Sequence, residues 1–164
     1  MTNKVLFSVL AASFLTLGAC GSETDDPSGE TCVDYSTVSG SASFELDVMP
    51  LFDQACNSSS CHAGAAAPEG LALTAVDAAE RTALVTLLTS ASAKRASMKL
   101  VTAGDPANSF LLLKCEYDKA GIAECTGDCS ALGCGAPMPS GGAMLTESEL
   151  DILRRWIKDG AQDN

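Results

Sequence analysis

The chain has one histidine, His62, in 164 residues. One histidine and irregular cysteine intervals do not supply the paired ligands of an ordinary zinc site. A Ser-His-Asp arrangement would have to use that same residue. Basic residues are scarce too, 10 against 21 acidic ones, for a formal net charge of −11. Nucleic acid is excluded as a partner on that ground, because holding phosphates needs a basic surface. An acidic surface instead keeps a protein soluble and suits a basic docking partner. No two cysteines stand at the C-x-x-C spacing of redox-active dithiols. After the first 17 residues no stretch is apolar enough to span a membrane, and neither an internal repeat nor a strand-rich region is evident.

What is present begins with an export signal. Met1-Thr2-Asn3-Lys4 is a short basic region, and Val5 to Leu17 is an apolar core of secretory length, too short for a typical span. It ends Leu17-Gly18-Ala19-Cys20, which suits ordinary cleavage and also resembles the lipobox of bacterial lipoproteins. The lipobox resemblance makes residues 1–19 the signal peptide and Cys20 the lipidated first residue, anchored to a bilayer without crossing it. Residues 20–43 then form the lipidated start, an acidic tether without apolar residues over Gly21 to Glu30, and an irregular lead-in. Seven further cysteines follow Cys20. In an exported protein disulfides persist, and bacteria also attach haem to cysteine thiols outside the cytoplasm.

Helical patterning dominates the rest. Val48, Leu51 and Phe52 share one face of a short helix with Pro50 in its first turn, and this helix leads into Cys56. A second helix is expected over about Asp77 to Ser90, with Leu84, Leu87 and Leu88 on its apolar face. Lys99 to Thr102 reads as a short extended piece, and Gly104-Asp105-Pro106 opens a third helix that buries Phe110, Leu111, Leu113 and Cys115. Residues 115–136 form a glycine- and cysteine-rich insertion, long for a compact domain unless something staples it. Cys115, Cys125, Cys129 and Cys134 are the disulfide candidates, with three connectivities open. The last helix carries a capping box, Thr146 with Glu149, followed by Leu150, Leu153, Trp156 and Ile157 at helical spacing and Gly160 as the stop.

The chemistry lies in Cys56-Asn57-Ser58-Ser59-Ser60-Cys61-His62. C-x-x-C-H marks covalent attachment of a c-type haem, with two thiols on the vinyl groups and the adjacent imidazole on iron. Here four residues separate the cysteines instead of two. A plain Cys56–Cys61 disulfide is the other reading of the same pair. With no second histidine, a methionine is the natural second axial ligand. Met138 stands in Ala136-Pro137-Met138-Pro139, where two prolines hold the backbone extended, although gap-filling is the commoner use of methionine.

The helix from Met49 to Cys56, the Cys-Cys-His motif, the late Met138-Pro139 and the final Leu145, Glu149, Leu150, Ile152, Trp156, Ile157, Gly160, Ala161 run resemble a small cytochrome c-like domain of the bacterial lipoprotein type. The likeness covers residues 44–161. It implies an all-α fold with long connections and one covalent haem c per chain. Cys56 and Cys61 would be the attaching thiols, His62 the proximal ligand and Met138 the distal one. It also implies that Trp156 packs the last helix against the first and the haem edge. The expected role is a periplasm-facing, lipid-anchored electron carrier serving redox proteins of the cell envelope, and no enzyme. The four-residue gap and the cysteine-rich insertion depart from the common pattern. The alternative is a haem-free, disulfide-stapled lipoprotein acting as a binding or structural module of the envelope.

Overall fold

The computed structural model describes residues 33–90, 98–116, 137–141 and 143–164. The leader, Cys20, the tether, Cys32 and the insertion cysteines Cys125, Cys129 and Cys134 lie outside the described residues. Within them the protein is helical and has no strand. Four α-helices follow in order: α1 Met49–Ala55, α2 Ala78–Leu88, α3 Phe110–Cys115 and α4 Glu147–Lys158. No helix among the described residues is long and apolar enough to cross a membrane.

α4 forms where its sequence says it should. The Thr146 side chain accepts from the Glu149 N–H, and the Glu149 carboxylate takes the Thr146 N–H in return, so two otherwise orphaned donors are satisfied. Glu147 and Glu149 sit at the positive end of the helix dipole, and Arg155 and Lys158 at the negative end. Gly160, at φ +104°, ends the helix, and the Ala161 N–H reaches back to the Trp156 carbonyl at 2.9 Å. Leu150, Leu153, Trp156 and Ile157 are buried on one face. Each such side chain contributes about 1.5–3 kcal/mol by leaving water.

α1 has an unexpected prologue. Phe44–Val48 makes a π-turn that runs straight into it, capped by the Ser43 side chain on the Leu46 N–H. The turn buries Phe44 and Val48, so the apolar face of Leu51 and Phe52 begins five residues earlier than the α-helix does. Trp156 lies against Phe44 with ring centroids 5.0 Å apart, and Phe52 meets Phe44 edge-on at 6.3 Å. This aromatic contact joins α4 to the entry of α1, and the Trp156 indole N–H is satisfied by the Gln162 carbonyl at 2.9 Å. The chain beyond α4 closes the same seam. Ser43 Oγ donates to the Asn164 backbone oxygen at 2.6 Å and the Phe44 N–H to its side-chain oxygen at 2.8 Å, while Arg81 bridges Glu45 and Asp163.

Two expectations change. In α2, Asp77 is the cap, accepting from the Glu80 N–H, and Leu84 and Leu88 are buried, but Leu87 is 40% exposed. At about 100° per residue Leu87 falls well off the stripe shared by Leu84 and Leu88. The helix expected to open at Pro106 is divided. Pro106–Asn108 is a separate single turn, and Ser109 is extended at φ −106°, ψ 112° before α3 starts. The Ser109 hydroxyl donates to the Asp105 carbonyl at 2.8 Å and accepts from the Thr102 N–H at 2.9 Å, and these bonds compete with helix continuation. Phe110, Leu113 and Cys115 are buried as expected, whereas Leu111 is half-buried.

Candidate cofactor site

α1 delivers the Cys56–His62 stretch. Cys56 caps the helix, its N–H on the Phe52 carbonyl at 2.8 Å, and the Asn57 N–H shares that acceptor at 2.9 Å. The loop then closes on itself, with the Cys61 N–H on the Ser58 carbonyl at 2.9 Å and the His62 N–H on the Cys56 carbonyl at 3.1 Å. Polar Ser58, Ser59 and Ser60 face solvent.

A second segment fixes the imidazole. His62 Nδ1 is 2.7 Å from the Leu71 carbonyl oxygen, and the Leu73 N–H donates to the His62 carbonyl at 2.9 Å. A carbonyl only accepts, so Nδ1 carries a proton, and in the neutral ring this leaves Nε2 its lone pair. This is the arrangement that orients a ligating histidine. Asn57 ties the loop to the same segment, donating to the Leu73 carbonyl at 2.9 Å and to Asp53 at 2.8 Å, while its Oδ1 is buried without a partner among the described residues.

Cys56 and Cys61 carry free thiols and are half-buried. Burial, with the neighbouring Cys61, pushes the Cys56 thiol up to about 11, so it is protonated at neutral pH. Cys115 is free as well, at the last position of α3 and buried in the main apolar cluster, against which Cys56 also packs. Burial raises the Cys115 thiol above its ordinary range, and charge on Cys56 adds to the effect. Met138 is held by its N–H on the Lys114 carbonyl at 2.8 Å, next to Cys115 at the end of α3. Its side chain is half-buried and belongs to neither apolar cluster of the described residues. Among the described residues no three His, Cys, Asp or Glu side chains come close enough to share a metal ion by themselves.

Beside this lies a charged network with no counterpart in the sequence reading. Glu116 is wholly buried; Arg154 Nε donates to it at 2.6 Å and the Tyr35 hydroxyl at 2.5 Å. Arg154 Nη1 pairs with Glu147, while Nη2 faces Glu116 as an ion pair without a hydrogen bond of its own. Burial disfavours the Arg154 charge, but the Glu147 and Glu116 carboxylates outweigh it and hold the pKa above its usual value. Burial and the Glu116 hydrogen bond keep Tyr35 protonated far above the usual phenol range. Lys158 Nζ donates to the Tyr35 carbonyl and Arg155 to the Ser41 carbonyl, so the lead-in is strapped along α4.

Compared with known proteins, the chain matches no family model, no curated protein and no solved structure.

Proposed function

We propose that the protein is a lipid-anchored monohaem c-type cytochrome that carries single electrons in the cell envelope. The observation that carries this reading is the fixed imidazole of His62. A histidine directly following a closed two-cysteine loop has its Nδ1 committed to a backbone carbonyl and its Nε2 free to ligate. The donor set suits the group: Cys56 and Cys61 are free thiols at the surface side of the core, and Met138 offers a thioether outside the packed clusters. Cys56 and Cys61 would hold the haem through thioether bonds, and His62 Nε2 and Met138 Sδ would ligate its iron. The haem supplies a reversible one-electron couple.

The chain's own residues do the remaining work. The Leu71–Leu73 segment orients the ligand ring, and the apolar cluster around Trp156 and Phe52 keeps water from that side of the site. With His62 and Met138 both holding the iron there would be no open place for a substrate, which favours a carrier over a catalyst. The acidic composition favours docking to basic redox partners, and Cys20 would tie the domain to a bilayer facing the periplasm. The test is a visible spectrum of the reduced protein made in a cytochrome c-maturing host. A sharp α-band that survives denaturation is expected. Its absence, with the peptide holding Cys56 and Cys61 two hydrogens light, would instead give the haem-free, disulfide-stapled lipoprotein.

A further inference from the structure

One side chain joins the loop that carries the thiols to the segment that orients the imidazole. Asn57 Nδ2 donates to the Leu73 carbonyl at 2.9 Å and to Asp53 Oδ1 at 2.8 Å. Leu73 is therefore held from both sides, its carbonyl by Asn57 and its N–H by the His62 carbonyl at 2.9 Å. Two residues before it, the Leu71 carbonyl takes the His62 Nδ1–H at 2.7 Å. We infer that Asn57 is a positioning residue for His62: its amide pins Leu73, and through Leu73 it keeps the Leu71 carbonyl on the imidazole. This deepens the reading of His62 as an iron ligand and rests on it for the redox consequence, though not for the hydrogen bonds.

The choice of asparagine follows from the acceptors around it. A carboxylate and a carbonyl only accept, so the amide cannot be turned over without setting oxygen against oxygen. Serine would bring one donor to this place, and an ionised aspartate none. The other end of the amide, Oδ1, is buried with no partner among the described residues. A buried acceptor left unpaired weakens a fold, so packing alone does not account for the residue, whereas the need for two donors does. The amide also starts from a fixed point, since the Asn57 N–H shares the Phe52 carbonyl with Cys56 at the end of α1. Its target has no such support. From Leu71 to Ala75 the chain is neither helix nor strand, so no ladder of its own holds these carbonyls in place. Burial fixes the Leu73 side chain, and the Asn57 bond fixes which way its carbonyl faces.

The test follows the His62 Nδ1–H proton by NMR in the full chain, where a single histidine makes the signal unambiguous. Ligation through Nε2 leaves that proton in place, so haem-free and haem-loaded, reduced chains can both be read. Slow exchange with solvent is expected in the unmodified chain. Asn57→Ala should speed it about 2–13-fold, the factor by which losing one hydrogen bond's net contribution eases a local opening. Thr146→Ala, which weakens the fold through the α4 cap instead, should leave the rate unchanged. An unchanged rate in Asn57→Ala, or equal acceleration in both variants, would overturn the inference. Should Asn57→Ala not fold, the Asn57 side-chain amide protons of the unmodified chain decide. Exchange slower than at exposed Gln54 supports the role, and exchange as fast overturns it. In haem-loaded chains Asn57→Ala should also raise the midpoint potential, because an imidazole less firmly hydrogen-bonded is a weaker donor to iron. An equal potential would overturn the reach of Asn57 to the metal. If no chain carries haem, the haem reading fails, and the exchange rates still decide the role of Asn57.

Discussion

Replacing Arg154 by methionine tests whether the Glu116 network is as dry as its geometry says. The side chain is 6% exposed and Glu116 is fully buried, so losing the guanidinium leaves a buried carboxylate with Tyr35 as its remaining described donor. Breaking one side of a buried ion pair costs about 3–5 kcal/mol. The Glu147 contact adds little, because that carboxylate is 66% exposed. With a urea slope of about 2 kcal/mol per molar, the unfolding midpoint should fall by roughly 2 M. Replacing the whole network by apolar groups, Tyr35→Phe with Glu116→Leu and Arg154→Met, should recover most of that loss, since well-packed apolar substitutes for buried pairs are often neutral or better. Urea titrations followed by Trp156 fluorescence read both. A loss of under about 1 kcal/mol for Arg154→Met, or no recovery in the triple variant, would refute the reasoning.

Trp156→Ala, which removes the ring packed on Phe44, should cost about 3–5 kcal/mol by the same titration. Thr146→Ala should cost about 1 kcal/mol through loss of the α4 cap. The Thr146 side-chain and backbone bonds hold the Glu149 carboxyl below the usual carboxylate range, so its contribution is present at neutral pH and lost as pH falls through that lowered value. Acid unfolding of the unmodified chain should show this component, and Thr146→Ala, which keeps only the backbone N–H bond, should show a smaller one. In the haem-free chain, alkylation at pH 7 should reach Cys61 before Cys56 and Cys115 last, with Cys56 catching up as pH approaches about 11. Met138→Ala should abolish the low-spin methionine signature of the haem-loaded protein, and an unchanged spectrum would remove Met138 from the ligand set.

The sequence made α4 legible almost to the residue because its signals are local: a capping box, a 3.6-residue stripe and a stopping glycine. α2 was legible from its apolar spacing, although Leu87 falls off the stripe and Asp77 was not read as its cap. The π-turn Phe44–Val48 was not, since a one-residue shift in hydrogen bonding leaves no compositional trace. Ser109 broke the third helix through side-chain bonds to Asp105 and Thr102 that depend on the folded path of the chain. The cysteine-histidine motif was readable from spacing, but the Leu71 carbonyl that fixes its tautomer was not, because an acceptor nine residues away carries no side-chain signal. Glu116 and Arg154 are 38 positions apart, and only the packing of α3 against α4 brings them together. Cys115 was read both as a core residue of α3 and as a staple of the insertion. Its buried free thiol fits the first part, while the insertion cysteines lie outside the described residues.

The central claim is that a loop with four residues between its cysteines still holds a haem beside His62. Peptide mapping of protein purified from a cytochrome c-maturing host tests it most directly. One haem mass is expected on a single peptide containing Cys56, Cys61 and His62, with neither cysteine open to alkylation. The same peptide recovered without haem, its cysteines alkylated or joined in a disulfide, would contradict it.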